Sequence, residues 1–521
     1  MNRNNYLKDN KGITLVALVV TIIVLIILAG ISINTILGDN GIISKANEAK
    51  QAQEIAEIKE TLRLEIISKE MQKVGNGEVI TQDEIEQILV EYGTVNKNND
   101  GTIKSVTLTD KNYEILLIEI YNERTQKLPA DGRYSTIKKV NTPKIDESQG
   151  MKLVTFDRTT KTWKEDVTNS DYEYIAGTGT ADNTSSRWAN AKVTRDGIDS
   201  YFIWIPRYAY KIDTTNQKID VKFIQGTGTT AADGTVCKYA DDSTLTANDY
   251  IVHPAFTSNA DLGGGFGELS GLWIGKYESS RSDADATNIG ESTTLKVVPS
   301  VKSWVSTTIG EFYTYAKAYN TELKSHMLKN SEWGACVYLT HSQYGRNGNE
   351  IAVNQCSNKI TGAGPGTGDS NIYNSTYTYD TNNFETTYSY ATVQGKKAST
   401  TGNEYGIYDM SGGTFEYVTS YYSGSASLSN GNSFASNESE SNKYETVYTG
   451  TTASSNYIKG DATYEISDWN SDYAAFVHPN YPFFTRSGYF GNESGAGVFY
   501  YYYTPGNNHA NYSFRTCLIV N

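Results

Sequence analysis

Gly406-Ile407-Tyr408-Asp409-Met410-Ser411-Gly412-Gly413-Thr414-Phe415-Glu416-Tyr417 is the stretch on which the reading of the fold turns. Gly406, Gly412 and Gly413 supply a turn, since glycine enters left-handed backbone at no steric cost. Tyr408 and Phe415 read as core anchors. Asp409 and Glu416 read as carboxylates that accept hydrogen bonds from backbone amides. Core building is the role these residue types suit.

Working outward, the chain from about residue 151 is rich in Gly, Ser, Thr, Asn and Tyr, with short aromatic clusters and few strongly periodic helices. Tyr201 to Tyr210 (YFIWIPRYAY) reads as a buried strand ended by Pro206. Gly271 to Glu278 (GLWIGKYE) reads as another strand. Helices are expected around Ile309 to Ala318 and Met327 to Leu339, the second with Asn330-Ser331-Glu332-Trp333 offering a cap and an aromatic anchor. The expected class is α+β with much irregular structure, an architecture that places binding function on surface loops.

Four segments, in order, resemble the formylglycine-generating-enzyme-like branch of the C-type lectin fold: WIGKYE from Trp273, LKNSEWGA from Leu328, the Gly406–Tyr417 stretch, and Ser513-Phe514-Arg515. The resemblance spans roughly residues 200 to 521. Oxidase members of that family hold copper with two closely spaced cysteines near the C-terminus. The corresponding stretch here is Arg486-Ser487-Gly488-Tyr489-Phe490-Gly491-Asn492, which has no cysteine, and Cys517 reads as a core thiol. Gly413 stands where related domains often carry asparagine, which weakens calcium binding. No catalytic residue, metal ligand or cofactor is assigned, and the chain is not expected to be an enzyme.

Composition narrows the function further. With 521 residues and 38% hydrophobic content, the chain can bury one large core or two ordinary ones. Its formal charge of -14 gives no basic face for nucleic acid. Cys237, Cys336, Cys356 and Cys517 form no C-x-x-C pair, and the histidines form no H-x-x-x-H pair.

Ile13 to Leu37 is nearly continuous in apolar and small residues, long enough to cross a bilayer as a helix. Arg3, Lys8 and Lys11 precede it, leaving the N-terminus cytoplasmic and the bulk exported. Lys11-Gly12-Ile13-Thr14-Leu15-Val16 with the following apolar run resembles the type IV prepilin signal of Gram-positive bacteria. The resemblance implies cleavage after Gly12 and methylation at Ile13. Ala17 replaces the glutamate usual at that place in major pilins, which disfavours polymerisation. Ile55, Ile58, Leu62 and Ile66 continue as an amphipathic stem, and Thr81-Gln82-Asp83-Glu84 is a capping box ahead of Ile85, Ile88 and Leu89. Asp100-Gly101 separates two stretches of β character. The expected domains are a leader at 1–12, a transmembrane helix at 13–40, a pilin-like stem and small head at 41–130, a polar linker at 131–150, and a lectin-like ligand-binding domain at 151–521.

The last segment is the most distinctive. Tyr489, Phe490, Asn492 and Ser494 precede Tyr500, Tyr501, Tyr502 and Tyr503, then Asn507, Asn508, His509, Asn511 and Tyr512. This resembles the variable region of proteins diversified by retroelements, which use the same fold and end in a similar F-R-x-x-L strand. It marks residues 486–518 as a candidate variable region. Tyr offers rigid amphipathic contact and Asn or Ser adaptable hydrogen bonding, the vocabulary of antibody paratopes. These thirteen residues are the expected ligand-binding set, facing an unknown protein or glycan. The expected function is a membrane-anchored, surface-displayed receptor or adhesin. A minor pilin subunit packing against other pilin subunits is the alternative, and an enzyme of the formylglycine-generating type ranks last.

Overall fold

The computed structural model describes scattered positions between 50 and 69, most of 80–117, and 140–520 apart from 178–182, 367–383 and 436–442. The expected leader and membrane helix, Gly12 and Ile13 included, lie outside the described residues. Among the described residues no helix is long and apolar enough to cross a membrane. The chain divides into two compact units, Met1–Ser135 and Thr136–Asn521.

In the first unit the described positions between 50 and 69 are helical, and Ile55, Leu62 and Ile66 are buried, as their helical spacing predicts. Helix α1 (Gln82–Leu89) begins at Thr81, whose hydroxyl accepts the Glu84 amide while the Glu84 carboxylate accepts the Thr81 amide. That is the expected capping box. Strands β1 (Gly93–Lys97), β2 (Ile103–Leu108) and β3 (Glu114–Leu116) form an antiparallel sheet in that order. Leu62, Ile66, Ile85, Leu89 and Val106 close one small core over it.

The second unit starts earlier than its polarity suggests. Residues 131–150 read as a linker, yet Val140 and Asn141 are buried. The Asn141 amide donates to the carbonyls of Ile224 (2.9 Å) and Ser270 (2.8 Å), and its Oδ1 accepts the Gly226 amide at 2.7 Å. Its backbone carbonyl accepts the Trp204 indole N–H at 3.1 Å. A buried amide with this full set of partners is a fixed internal cross-link, so the segment from Val140 onward belongs to the folded unit, while 131–139 lie outside the described residues.

Here β4 (Met151–Asp157), β5 (Thr162–Glu165), β6 (Asn190–Arg195) and β7 (Ile198–Pro206) are four strands of a seven-stranded antiparallel sheet. Strand β8 (Tyr208–Asp213) leaves that sheet immediately after Pro206, pairing instead with β9 (Lys218–Phe223) and β10 (Ile251–Val252). The proline thus ends one strand as expected, while the YAY half of the motif starts another. Strand β11 (Gly271–Gly275) lies beside β7 and places Trp273 against Trp204, ring centroids 5.2 Å apart. Strands β12 (Ser280–Arg281) and β13 (Leu295–Lys296) form a short ribbon.

Helix α2 (Ile309–Tyr319) is started by a second capping box, Thr308 with Glu311. Thr308→Ala removes the hydroxyl that accepts the Glu311 amide, and is expected to lower unfolding free energy by about 1 kcal/mol in a urea titration. After β14 (His326–Met327) comes α3 (Asn330–His341), buried along its whole length. Its cap falls at Lys329 instead of Asn330. The surroundings explain this: Ser420 Oγ accepts the Asn330 amide at 2.9 Å, and the Glu332 carboxylate accepts the Lys329 amide at 2.9 Å. The orphan N–H groups of the helix are thus met by a distant strand and by its own third residue.

The remaining strands are β15 (Phe415–Tyr422), β16 (Thr446–Tyr448), β17 (Phe483–Arg486), β18 (Tyr501–Thr504), β19 (Tyr512–Phe514) and β20 (Thr516–Leu518). Strand β20 enters the large sheet between β14 and β11. The others form a five-stranded sheet in which β15 pairs with β17, and β17 with β18. One core joins both sheets and α3 through Trp188, Trp204, Trp273, Trp304 and Trp333. The observed class is mixed α+β, mostly sheet with few helices.

Candidate ligand-binding surface

The Gly406–Tyr417 stretch underlies the candidate surface. Asp409, in left-handed backbone, accepts the Gly362 amide at 2.9 Å and the Asn354 side-chain amide at 2.8 Å. Gly412 and Gly413 are also left-handed, and a Cβ on Gly412 would meet the Asn354 carbonyl oxygen at 2.5 Å. Only glycine fits there. Around this turn Ser487 donates to the carbonyls of Asp409 and Gly412, and the Phe490 amide donates to Gly413 O. The motif therefore fixes where the loop after β17 begins.

Two roles assigned in the motif are corrected. Glu416 does not bond an amide through its carboxylate; it grips Arg515, Oε1 at 2.5 Å from Nη2 and Oε2 at 3.0 Å from Nε. Arg515 also donates to the carbonyls of Gly275 and Tyr408, so the pair is sealed inside with its donors used. The carboxylate holds the guanidinium pKa up even against its desolvation. Phe415, expected as a core anchor, is half-exposed and belongs to the surface.

On that surface Phe415 touches the rings of Tyr489 (4.9 Å between centroids), Tyr500 (5.7 Å) and Tyr512 (5.1 Å). From Tyr500 the band runs to Tyr473 (6.5 Å), then Tyr502 (5.5 Å), Tyr503 (4.3 Å) and Tyr481 (5.3 Å). Phe490 and His509 extend it beside Tyr489 and Tyr512. Apart from the closer Tyr502–Tyr503 stack at 4.3 Å, these contacts are within the range of favourable aromatic pairs, so the band is a preformed platform rather than a set of loose side chains.

The thirteen expected residues divide into two groups. Tyr500 and Tyr501, at 3% and 2% exposure, are core. Tyr501 shares a hydrogen bond with Ser467, and its ring lies 5.7 Å from the buried Arg486 guanidinium. Tyr489, Phe490, Asn492, Tyr502, Tyr503, Asn511 and Tyr512 are half-buried, while Ser494, Asn507, Asn508 and His509 are exposed. Asn492 Oδ1 accepts the Tyr489 amide and His509 Nδ1 the Asn511 amide, so both side chains also shape their loops.

Three surface residues were missed: Tyr473 (57% exposed), Tyr481 (41% exposed) and His478, which lies against Tyr481 and Tyr503. Their segment, SDYAAFVHPNYP (471–482), shows no strand or helix period. Its aromatic residues at 473, 478 and 481 near two prolines were the available signal. Asp472 ties the segment down, its Oδ2 accepting the Phe499 amide at 2.8 Å. A Cβ on Gly497 would lie 1.9 Å from Asp472 Oδ1, so any larger residue there must displace the Asp472 carboxyl. Burial, reinforced by Glu350, pushes the Asp472 carboxyl well above the usual carboxylate range. Beside it, Tyr473, Tyr502, Tyr503, Asp468 and Ser471 line a depression of about 320 Å³.

Among the described residues, His326, Glu332 and Cys517 bring candidate metal-ligand atoms within 4.8 Å of one another. All three are buried, and the geometry is that of a hydrogen-bonded core. His326 Nε2 lies 2.9 Å from Glu332, Nδ1 2.7 Å from Lys324 O, and the Lys329 ammonium 3.6 Å from Glu332 supplies positive charge. Burial drives the Cys517 thiol pKa well up, away from the thiolate that ligates metals. The cysteines are all buried and free. Cys237 and Cys356 are each pushed up to about 11 by burial.

No family model matches the sequence, and no curated protein matches it. Among solved structures the chain is similar to the Major Tropism Determinant I1 variant, at 10% identity over 70% of this chain and 94% of that one, with a TM-score of 0.22. It is also similar to the M1 variant, at 12% identity over 71% and 95%, with a TM-score of 0.23. Likeness at these scores adds no weight, and the functional reading rests on the geometry above.

Proposed function

We propose that this chain is a displayed ligand-binding protein of receptor or adhesin type, and that it contacts a protein or glycan through the aromatic band around Tyr473, Tyr502 and Tyr503. The carrying observation is the band itself: contiguous rings, several partly in water, seated on a sheet whose inner face is fully packed. Rigid tyrosines lose little entropy on binding and present both apolar faces and hydroxyls. Membrane anchoring by residues 13–40, with processing at Gly12 and Ile13, is part of the proposal, as is a binding rather than a catalytic role.

Diversification of residues 486–518 is the finer part of the reading. The outward positions Tyr489, Phe490, Asn492, Ser494, Tyr502, Tyr503, Asn507, Asn508, His509, Asn511 and Tyr512 carry side chains that can change without opening the core, whereas Tyr500 and Tyr501 cannot. Sequencing the 3′ end of the gene and its flanks tests this. A near-copy of these codons differing at adenines, beside a reverse transcriptase gene, is the expected result, and its absence rejects diversification.

Binding is tested by probing arrays of glycans and surface-protein ectodomains with the full chain and with Tyr502→Ala/Tyr503→Ala. A specific ligand is expected whose affinity falls about 30-fold or more in the variant, the scale of aromatic hot spots. Unchanged affinity rejects this site.

A further inference from the structure

Resting on the reading of this face as the contact surface, we propose that the depression between Tyr473, Tyr502 and Tyr503 takes a cationic side chain, lysine or arginine, of a protein partner. Two observations point there. The walls are tyrosine rings: Tyr473, Tyr502 and Tyr503 all line the depression, with Tyr473 and Tyr502 centroids 5.5 Å apart, so aromatic rings flank one small space that a cation can enter. Its exposed acid is Asp468, and no lysine or arginine is among the lining residues.

The surrounding charges agree with this sign. Arg486 is the nearby cation, but it is buried behind Tyr501, faces the Trp333 ring at 5.5 Å and donates to Ala462 O. It lies on the core side and leaves the outer face acidic. A volume of about 320 Å³ suits one side chain rather than an extended ligand. The whole chain carries a formal charge of -14, which steers basic partners toward it. An anionic ligand group would meet the Asp468 carboxylate with no base among the lining residues.

The test titrates the full chain with acetyl-lysine methylamide, acetyl-arginine methylamide and the neutral acetyl-norleucine methylamide, followed by saturation-transfer NMR. The two cations are expected to bind about fivefold or more tighter than norleucine, the scale of a surface cation–π contact. Asp468→Asn and Tyr502→Leu should each erase most of that preference, with unchanged thermal melts because both side chains reach the surface. Equal binding of all three probes, no binding of any, or a preference indifferent to Asp468→Asn overturns the inference. If Tyr502→Ala/Tyr503→Ala abolishes binding of an arrayed ligand while the cation preference is absent, the contact surface stands and the cation pocket falls.

Discussion

Arg515→Met is expected to lower the unfolding free energy by about 3–5 kcal/mol, measured by urea denaturation. The cost comes from what the substitution leaves behind. Glu416 is buried, and its two oxygens are held by Nε and Nη2 of Arg515. Glu278 and Asp409 are close enough to act on the same group electrostatically. One guanidinium therefore serves three buried carboxyls, and it also satisfies the Gly275 and Tyr408 carbonyls. Pairing the change with Glu416→Gln should recover part of the loss, since the stranded charge is then gone. A loss under about 1 kcal/mol for Arg515→Met would mean that the cluster is not the anchor of the Gly406–Tyr417 turn.

Tyr501→Ala and Tyr502→Ala are expected to separate core from surface within a single strand. Tyr501 packs inside, bonds Ser467 and covers Arg486. Its removal leaves a cavity the size of a ring, so about 3–5 kcal/mol of stability should be lost. Tyr502 stands half in water, where its ring meets those of Tyr473 and Tyr503. Its loss should cost within about 1 kcal/mol while weakening ligand binding. Thermal melts of the two variants check this directly; equal destabilisation would contradict the division.

The same pair of residues shows where sequence stops being informative. Four consecutive tyrosines state that the segment is rigid and amphipathic, but a strand's period of two does not say which are inside. Here the period is broken: Tyr500 and Tyr501 are both buried, while the adjacent Tyr502 and Tyr503 stack on each other outside. The Gly406–Tyr417 turn was legible because left-handed glycines and a local carboxylate act within a few residues. The capping box at Thr81 was set by equally local chemistry. Asn141, Lys329 and Glu416 were not legible, since their partners lie far along the chain: Ser270 for Asn141, Gly264 for Lys329, Arg515 for Glu416. Tyr473 and Tyr481 join the surface only because β17 and β18 bring Tyr502 and Tyr503 beside them.

The most direct test of the account is photo-crosslinking of the full chain to a ligand found by array, with p-benzoylphenylalanine placed at Tyr473 in one preparation and at Val236 in another. Val236 is 73% exposed and lies outside the aromatic band. Crosslinks from position 473 and none from 236 are the predicted result. Crosslinks from 236 with none from 473 would place the ligand elsewhere on the molecule and contradict the aromatic band as the binding surface.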